Sequence, residues 1–508
     1  MEPWFIIIFI FSVCITAILK LIFFNCNNHH NKLPPGPSFF QSNLLLLTNS
    51  LPALEPILKN LKSKQGPLIT LKFGSRPSVF VGDHSLAHEL LIHKGAIFSD
   101  HPRNNLPVLN ISSASYGPTW RLLRKNLASE ILHPSRVKSY SWARNWVLRV
   151  LITRLQKQEL HEVHGVKVID HFQYAMFSLL VLMCFGEKFD ESRINEIASC
   201  QRRFLLLIGS GRLNVLGVFP KLGKHLFRAR WKEFLQMRDD QENTLLPLIK
   251  SRIESGKCDN DKIVAYVDTL VNLRINEKDC RKLTHKEMVN MCGEFLNAGT
   301  DTTSTALQWI MANLVKNQDI QKKLYDEIES IVGPAPGEVD ETFINEEDLH
   351  KMVYLKAVVL EGLRRHPPGH FVLPHRVMKD VEVHGYVIPE GATINFMVGE
   401  MGLDPKVWDD PMEFKPERFM VNNNSVFDIS GSKGIKMMPF GAGRRICPGS
   451  DLALLHLEYF VANLIWYFNW SVDDDGYNVD LSEKVEFTTV MKNPLQVKIS
   501  SRTHKLTT

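Results

Sequence analysis

The chain lacks the sequence patterns of several common classes of protein. Its eight cysteines are scattered and form no CxxC pair, which argues against zinc sites and a disulfide framework and suits a reducing compartment. No GxGxxG motif follows a predicted strand, so no nicotinamide or flavin fingerprint is visible. The formal net charge is +5, and no basic run with interleaved aromatics occurs, so we expect no nucleic-acid partner.

Internal boundaries are also missing. After residue 40 the chain has no Pro/Gly/Ser-rich linker, low-complexity tract or internal repeat. Length alone would allow about three domains. The uninterrupted sequence instead predicts one large catalytic domain over residues 41–508, and 44% apolar residues are enough to build its core.

The first 40 residues differ from the rest. Residues 4–24 are uncharged and mainly apolar apart from Lys20, a length of about one bilayer-spanning helix. A cleaved signal peptide is the alternative, but it would need a basic start, whereas Glu2 precedes this run. We therefore expect a retained membrane anchor over residues 1–24. A proline-rich hinge over residues 25–40, with the stiff run KLPPGP, should follow.

Hydrophobic periodicity predicts a mainly helical fold with small β-sheets, of the α+β class. Helical patterns dominate from about residue 85 to residue 324. The predicted strands are residues 68–73, 78–81, 381–388, 393–398 and 487–497. Residues 287–316 read as one long helix, but the run AGTDTT at residues 298–303 predicts an interruption and a kink, because glycine and threonine are poor in helix interiors.

One stretch, FGAGRRICPG at residues 440–449, presents a single cysteine in a setting suited to a thiolate metal ligand. An apolar helical pattern follows, so we expect Cys447 at a helix start with Pro448 as the first helical residue. The helix dipole, together with Arg444 and Arg445, should lower the pKa of the thiol. The glycines let the backbone lie close to a flat ligand. A lone cysteine is more often a buried structural residue, so the residues around Cys447 must show whether it is a metal ligand.

That pattern is specific. Phe440, Gly443, Arg445, Cys447 and Gly449 match FxxGxRxCxG, and on these residues the chain resembles the cytochromes P-450. The resemblance covers about residues 33 to 500. It implies the cytochrome P-450 fold, haem b as the cofactor, Cys447 as the axial thiolate ligand and the other four residues as its binding loop. A thiolate in that position favours O–O cleavage.

The AGTDTT run matches the family's AGxDTT oxygen-activation motif. The resemblance gives Asp301 and Thr302 the catalytic role of passing protons to bound dioxygen. Family members that isomerise peroxides often lack the threonine. Thr302 therefore favours a monooxygenase.

Glu361 and Arg364 form an ExxR pattern on a predicted helix, where residues three apart can pair. An exposed pair would contribute only about 0–1 kcal/mol. Residues 416–419 read PERF, and the resemblance implies that Arg418 joins the pair in a buried triad. We expect this triad to serve folding and haem retention.

Trp120 and Arg124 form a WxxxR pattern, which in the family donates to a haem propionate. The resemblance adds Arg445 and His375, which follows a Leu-Pro step, to this set of partners. Guanidinium groups suit carboxylates in geometry and charge. The chain departs from the family at FSDHP, where relatives usually read FxxRP, so His101 replaces an arginine.

Substrate contacts are expected from mostly apolar segments that flank the haem in this fold. The predicted contacts are Phe295, Ala298, Phe371, Val372 and Thr488, with core packing as the alternative role for each. An apolar lining implies a lipophilic or aromatic ligand. The sequence does not name it.

Because no flavin or nicotinamide motif is present, electrons must come from another protein. The resemblance implies O2 as co-substrate and a membrane-bound NADPH-dependent reductase that docks near Cys447, where Lys433, Lys436 and Arg444 would suit an acidic partner. It also implies an endoplasmic-reticulum anchor with the catalytic body in the cytosol. The C-terminal run EFTTVMKNPLQVKIS resembles plant cytochromes P-450 of family 89.

These observations predict a haem-thiolate monooxygenase that oxidises a lipophilic plant metabolite. Two alternatives stay open. One is a peroxide isomerase or dehydratase of the same fold that needs no reductase, and the other is a haem-binding carrier or sensor without turnover.

Overall fold

A computed structural model describes residues 12, 33–48, 54–73, 76–102, 109–159, 165–213, 223–255, 263–275, 280–335, 343–420, 427–472 and 479–502. The predicted anchor lies outside the described residues apart from Ser12, and so does the predicted hinge before residue 33. The chain divides into two compact units. The smaller comprises Met1–Pro102 and Phe371–Met397, and the larger comprises Arg103–His370 and Val398–Thr508.

The described part of the chain is mainly helical. Its α-helices are α1 (Phe39–Thr48), α2 (Glu55–Gln65), α3 (His84–His88), α4 (Pro118–Asn126), α5 (Pro134–Ser139), α6 (Ser141–Glu159), α7 (Val168–Phe185), α8 (Glu191–Gly209), α9 (Gly223–Leu226), α10 (Arg228–Glu254), α11 (Tyr266–Val271), α12 (His285–Lys316), α13 (Gln318–Val332), α14 (Val353–Arg365), α15 (Val398–Gly402) and α16 (Ser450–Tyr467).

The strands are short. They are β1 (Leu68–Phe73), β2 (Arg76–Val81), β3 (Val166–Lys167), β4 (Arg274–Ile275), β5 (Arg281–Lys282), β6 (His375–Arg376), β7 (Val381–Val383), β8 (Tyr386–Ile388), β9 (Thr393–Phe396), β10 (Phe468–Ser471), β11 (Glu483–Val485), β12 (Thr489–Met491) and β13 (Gln496–Ser501).

The smaller unit is built on a four-stranded sheet in the order β1-β2-β9-β6. β2 pairs antiparallel with β1 and parallel with β9, which pairs antiparallel with β6. The end of the predicted hinge packs on this sheet, because the N–H of Thr70 donates to the carbonyl of Pro35 at 2.8 Å. A Cβ atom on Gly36 would lie 1.8 Å from the Thr70 carbonyl oxygen, so only glycine fits there.

The larger unit is organised around α12, a helix of 32 residues. A capping box starts it: the N–H of Thr284 donates to the Glu287 carboxylate at 2.8 Å, and the N–H of Glu287 donates back to Thr284 Oγ1 at 3.3 Å. α12 packs against α7, α10 and α16. The larger unit also contains the small sheets β10-β13-β3, β11-β12 and β4-β5.

α7 is the one helix in the described ranges that is long and apolar enough to cross a membrane by length and composition. Of its 18 residues 78% are buried inside the protein, and it ends at Phe185, followed by the capping residue Gly186, whose φ is 73°. It contacts α6, α11 and α12. α7 is therefore a central core helix of the larger unit.

The predicted fold class is confirmed, since the described chain is mostly helical with small sheets. The predicted strands at residues 68–73 and 78–81 are β1 and most of β2. The run at 381–388 is the hairpin of β7 and β8. Two other predictions were wrong in their bounds: Val398 begins α15 and does not continue β9, and the run at 487–497 is not one strand but contains β12 and the start of β13.

Candidate functional site

α12 carries the AGTDTT run in its middle. The helix continues unbroken from His285 to Lys316, so the predicted interruption is wrong. Thr302 Oγ1 donates to the carbonyl of Ala298 at 2.6 Å, and Ser304 Oγ donates to that of Thr300 at 2.8 Å. These hydroxyls bond carbonyls one turn earlier without ending the helix, and tertiary packing overrides the weak propensity.

Ala298 and Thr302 lie on one open side of α12. Most of the helix between Met288 and Val315 is buried, whereas Ala298 is exposed and Thr302 is partly exposed. Because they are four residues apart, they are neighbours on the same helical face. Solvent therefore reaches α12 at this face.

Asp301 is buried and paired. Its carboxylate contacts the Arg202 guanidinium of α8, and Thr488 Oγ1 donates to its Oδ2 at 2.6 Å. Arg202 also donates to Glu486 Oε2 at 2.6 Å. Burial raises the pKa of Asp301, while Arg202 and Thr488 oppose the rise.

Arg202 and Glu486 were missed by the sequence analysis. Arg202 and Asp301 are 99 residues apart in the chain, and no local pattern predicts their contact. The one available signal is a pair of arginines inside the apolar run of α8, QRRFLLL. Thr488, predicted as a substrate contact, is only 2% exposed and is engaged by Asp301.

Cys447 lies in a loop shaped by glycines. Gly441 and Gly443 have φ values of 69° and 71°, in the left-handed region that favours glycine. The N–H of Cys447 donates to the carbonyl of Phe440 at 2.9 Å. The prediction that Pro448 is the first helical residue is wrong, because Pro448 and Gly449 form a turn and α16 begins at Ser450.

The charges around Cys447 also differ from the expectation. Burial raises the pKa of the thiol, and the N–H of Gly449 and the guanidinium of Arg124 lower it. Arg444 is exposed and donates to the Tyr116 hydroxyl at 2.6 Å. The lowering predicted from Arg444 and Arg445 is therefore wrong, and Arg124 is the cation that favours the thiolate.

The predicted haem partners of the larger unit lie close together and fit an anionic group. The Arg445 guanidinium is 4.3 Å from the centre of the Trp120 ring, and Arg124 Nη2 donates to the Ile446 carbonyl at 2.6 Å. Trp120 Nε1 is buried, and no atom of the described residues accepts its hydrogen bond. An unpaired buried N–H costs about 1–3 kcal/mol, so a carboxylate acceptor such as a propionate suits it.

His375 belongs to the smaller unit, at the start of β6. Its Nδ1 lies 2.5 Å from the Phe98 carbonyl, and its ring is 5.3 Å from that of His101. His101 Nδ1 lies 2.6 Å from the Pro374 carbonyl. His101 therefore links two segments of its own unit, while the propionate role of His375 stays a prediction.

Other predicted substrate residues have packing contacts. The Phe295 ring lies 5.0 Å from that of Tyr266, and Phe371, in the smaller unit, meets Phe80 edge-on at 6.1 Å. Val372 is partly exposed in the same unit. Their contact with a substrate stays a prediction.

The structure brings Glu361, Arg364 and Arg418 together. Arg364 donates to the two Glu361 carboxylate oxygens at 2.7 and 2.8 Å, and Arg418 Nε donates at 3.2 Å. The N–H of Lys415 adds a fourth hydrogen bond at 2.8 Å. Arg364 also donates to the carbonyls of Gly402, Pro411 and Glu413. Every charge in this cluster therefore has a partner.

Comparison with known proteins agrees with this geometry. The family model for Cytochrome P450 matches residues 34–499. Cytochrome P450 89A9 of Arabidopsis thaliana is 47% identical, over 98% of this chain and 98% of its own. Geraniol 8-hydroxylase of Catharanthus roseus is 30% identical, over 95% of this chain and 98% of its own.

A solved structure of a zebrafish cytochrome P450 with progesterone superposes with a TM-score of 0.71. It covers 89% of this chain and 100% of its own, and at 22% identity it shows the shared fold. Proteins of this family are oxidoreductases that use haem b with a cysteine thiolate ligand, O2 and NADPH electrons supplied by a reductase. The family match over nearly the whole chain, with relatives at 30% identity and above, shows that the protein belongs to the cytochrome P450 family.

Proposed function

We propose that the protein is a haem-thiolate monooxygenase that oxidises a lipophilic plant metabolite, with Cys447 as the axial ligand. The loop at residues 440–449 carries this proposal, because Gly441 and Gly443 turn its backbone at positive φ and Cys447 follows them within the charge field of the Arg124 guanidinium. Haem b, when bound, supplies the iron at which dioxygen is activated, and the thiolate favours O–O cleavage.

The haem propionates would be held by Trp120, Arg124, Arg445 and His375. The unpaired Nε1 of Trp120 is the strongest support, because it lacks the acceptor that a propionate would provide. The Glu361–Arg364–Arg418 triad would hold the segments after α14 in place and so retain the haem.

Thr302 and Asp301 would transfer protons during the reaction. Thr302 presents a hydroxyl on the open side of α12, and Asp301, the residue before it, lies on the buried side. Burial raises the pKa of the Asp301 carboxyl toward neutral pH, and such a pKa suits a group that both takes up and releases protons.

The substrate would be lipophilic and would contact Phe295, Ala298, Phe371 and Val372. Among the relatives, geraniol 8-hydroxylase and geranylhydroquinone 3''-hydroxylase are named for hydroxylating such compounds. Hydroxylation is therefore the first reaction to test. Thr488 would act mainly through its hydrogen bond to Asp301.

Electrons would come from a membrane-bound NADPH-dependent reductase. Lys433, Lys436 and Arg444 are exposed near Cys447 in the chain and offer positive charge to an acidic partner. Residues 1–24 would anchor the protein in the endoplasmic-reticulum membrane with the catalytic body in the cytosol. The exposed Phe40 and Leu44 on α1, where the predicted hinge ends, suit a surface beside that membrane.

The first experiment is the carbon-monoxide difference spectrum of the dithionite-reduced protein in membranes. We expect the long-wavelength Soret band of a thiolate-ligated haem in the wild type and in the control Cys280→Ser, which changes an exposed cysteine. Cys447→Ser should lose the band. A wild-type protein that binds haem without this band would overturn Cys447 as the ligand.

A second experiment tests Thr302 on the first substrate found by screening plant extracts for NADPH-dependent mass gain. Thr302→Ala should keep the carbon-monoxide band and lose product formation by about 100-fold, a typical loss when a proton-transfer group is removed. Thr302→Ser keeps the hydroxyl and serves as the control. Equal turnover in all three proteins would remove the proton role, and activity on a hydroperoxide without NADPH would favour the isomerase alternative.

A further inference from the structure

A carboxylate that the proposed chemistry does not use links α12 to the loop at residues 109–116. Glu294 lies one helical turn before Ala298 on α12. Its Oε2 accepts the N–H of Ile111 at 2.7 Å, and its Oε1 accepts the N–H of Ser112 at 2.7 Å. Both carboxylate oxygens are therefore occupied by consecutive backbone donors of one loop.

The carbonyls of the same loop face a different partner. Arg445 donates to the carbonyl of Ala114 at 2.7 Å and to that of Ile111 at 3.3 Å. At the end of the loop, the Tyr116 ring lies 5.1 Å from the Trp120 ring, and its hydroxyl accepts from Arg444 at 2.6 Å. The loop thus connects α12 to the residues around Cys447.

We propose that Glu294 is a positioning residue: it fixes the 109–116 loop through two N–H groups, so that the loop's carbonyls hold the Arg445 guanidinium against Trp120. A carboxylate is required because both of its oxygens accept hydrogen bonds. An amide of the same shape would turn its NH2 group toward one of the two N–H donors and leave that donor unpaired.

Substitutions at Glu294 separate charge from shape. Glu294→Gln keeps the size and loses one acceptor, whereas Glu294→Asp keeps the carboxylate on a shorter side chain. If Glu294 only fills space, Gln should resemble the wild type more closely than Asp does. If Glu294 positions the loop, the Asp variant should keep more of the wild-type protection of the loop amides than the Gln variant does.

The primary measurement is hydrogen–deuterium exchange of the peptide that contains Ile111 and Ser112. We expect exchange at least about tenfold faster in Glu294→Gln, an intermediate rate in Glu294→Asp and unchanged exchange in peptides of α12. The control is Glu287→Gln on the same helix, whose carboxylate bonds Thr284 and Arg281 and not the loop. Wild-type exchange in Glu294→Gln, or a larger effect of Asp than of Gln, would overturn the proposal.

Haem transfer to apomyoglobin provides a second readout. We expect Glu294→Gln to release haem several-fold faster than the wild type, because Arg445 and Trp120 are held less firmly. This readout rests on the proposed function, whereas the exchange measurement does not. A wild-type protein without the thiolate band would count against the proposed function alone. If Glu294→Gln does not fold, weak protection of the Ile111 and Ser112 amides in the wild type would contradict the inference.

Discussion

Two arginine–carboxylate clusters in the larger unit use the same chemistry at different depths. In the first, the Glu361 and Arg364 side chains are both 0% exposed and Arg418 is 10% exposed. In the second, Arg202 bridges Asp301 and Glu486 while remaining 32% exposed. In the first cluster Arg364 alone binds the carbonyls of three separate residues, whereas the second cluster contains the carboxylate next to Thr302.

The difference shows how burial assigns roles to similar groups. A fully buried charge must keep all its partners, because losing one leaves an uncompensated charge in a poor solvent. A cluster that reaches solvent can exchange a partner for water at small cost. The first cluster is therefore suited to holding the fold, and the second is suited to a carboxyl whose environment changes during a reaction.

Disrupting the first cluster, Glu361–Arg364–Arg418, should have the largest effect on the stability of the protein. Arg364→Lys keeps the charge but loses the planar fork that binds both Glu361 oxygens and three carbonyls. We expect a loss of about 3–5 kcal/mol in the free energy of unfolding and little haem-containing protein. Denaturant unfolding and haem content per protein would measure this, and a variant with wild-type stability would contradict the role of the triad.

A partly buried carboxyl on α16, Glu458, extends the comparison. Among the described residues the charge that opposes it is that of Lys356, and burial raises the pKa of Glu458 to about 7. The folded protein thus binds a proton that the unfolded chain has released, so this group weakens the fold as the pH rises from about 4.5 to above 7. Near pH 8, Glu458→Gln should gain up to about 3 kcal/mol of stability over the wild type, since one pKa unit is worth about 1.4 kcal/mol.

The same substitution should change little near pH 4, where the wild-type carboxyl is protonated in the folded state and largely protonated in the unfolded chain. Thermal unfolding of both proteins across this pH range would measure the difference. An equal effect at both ends of the range would mean that the ionisation of Glu458 does not affect stability.

Breaking the second cluster should have the smallest effect on stability. Arg202→Gln removes a partly exposed guanidinium, and Thr488 continues to donate to Asp301. We expect a loss of about 1 kcal/mol or less in the free energy of unfolding, with the carbon-monoxide band intact. Arg203→Gln, next to it on α8 and 56% exposed, is the control. A loss in the free energy of unfolding as large as that of Arg364→Lys would contradict the difference that we infer between the two clusters.

Local patterns predicted much of the candidate site. The FGAGRRICPG stretch needs glycine where the backbone has a positive φ, and Glu361 and Arg364 lie three residues apart on one helix, so short spacing determines both features. The local patterns gave a wrong prediction where tertiary packing overrides the helix propensity of the residues. The AGTDTT run predicted a broken helix, but α12 is held by α7 and α10 and continues through it.

The sequence by itself determined the mainly helical fold, the cysteine loop and the pairing within single helices, because side-chain periodicity and backbone sterics act over a few residues. The tertiary structure alone decided that Arg124 favours the Cys447 thiolate, that Arg202 pairs with Asp301, and that Glu294 holds a loop 183 residues away in the chain. Contacts between distant segments depend on how whole helices and loops pack. No spacing within the sequence encodes that packing directly.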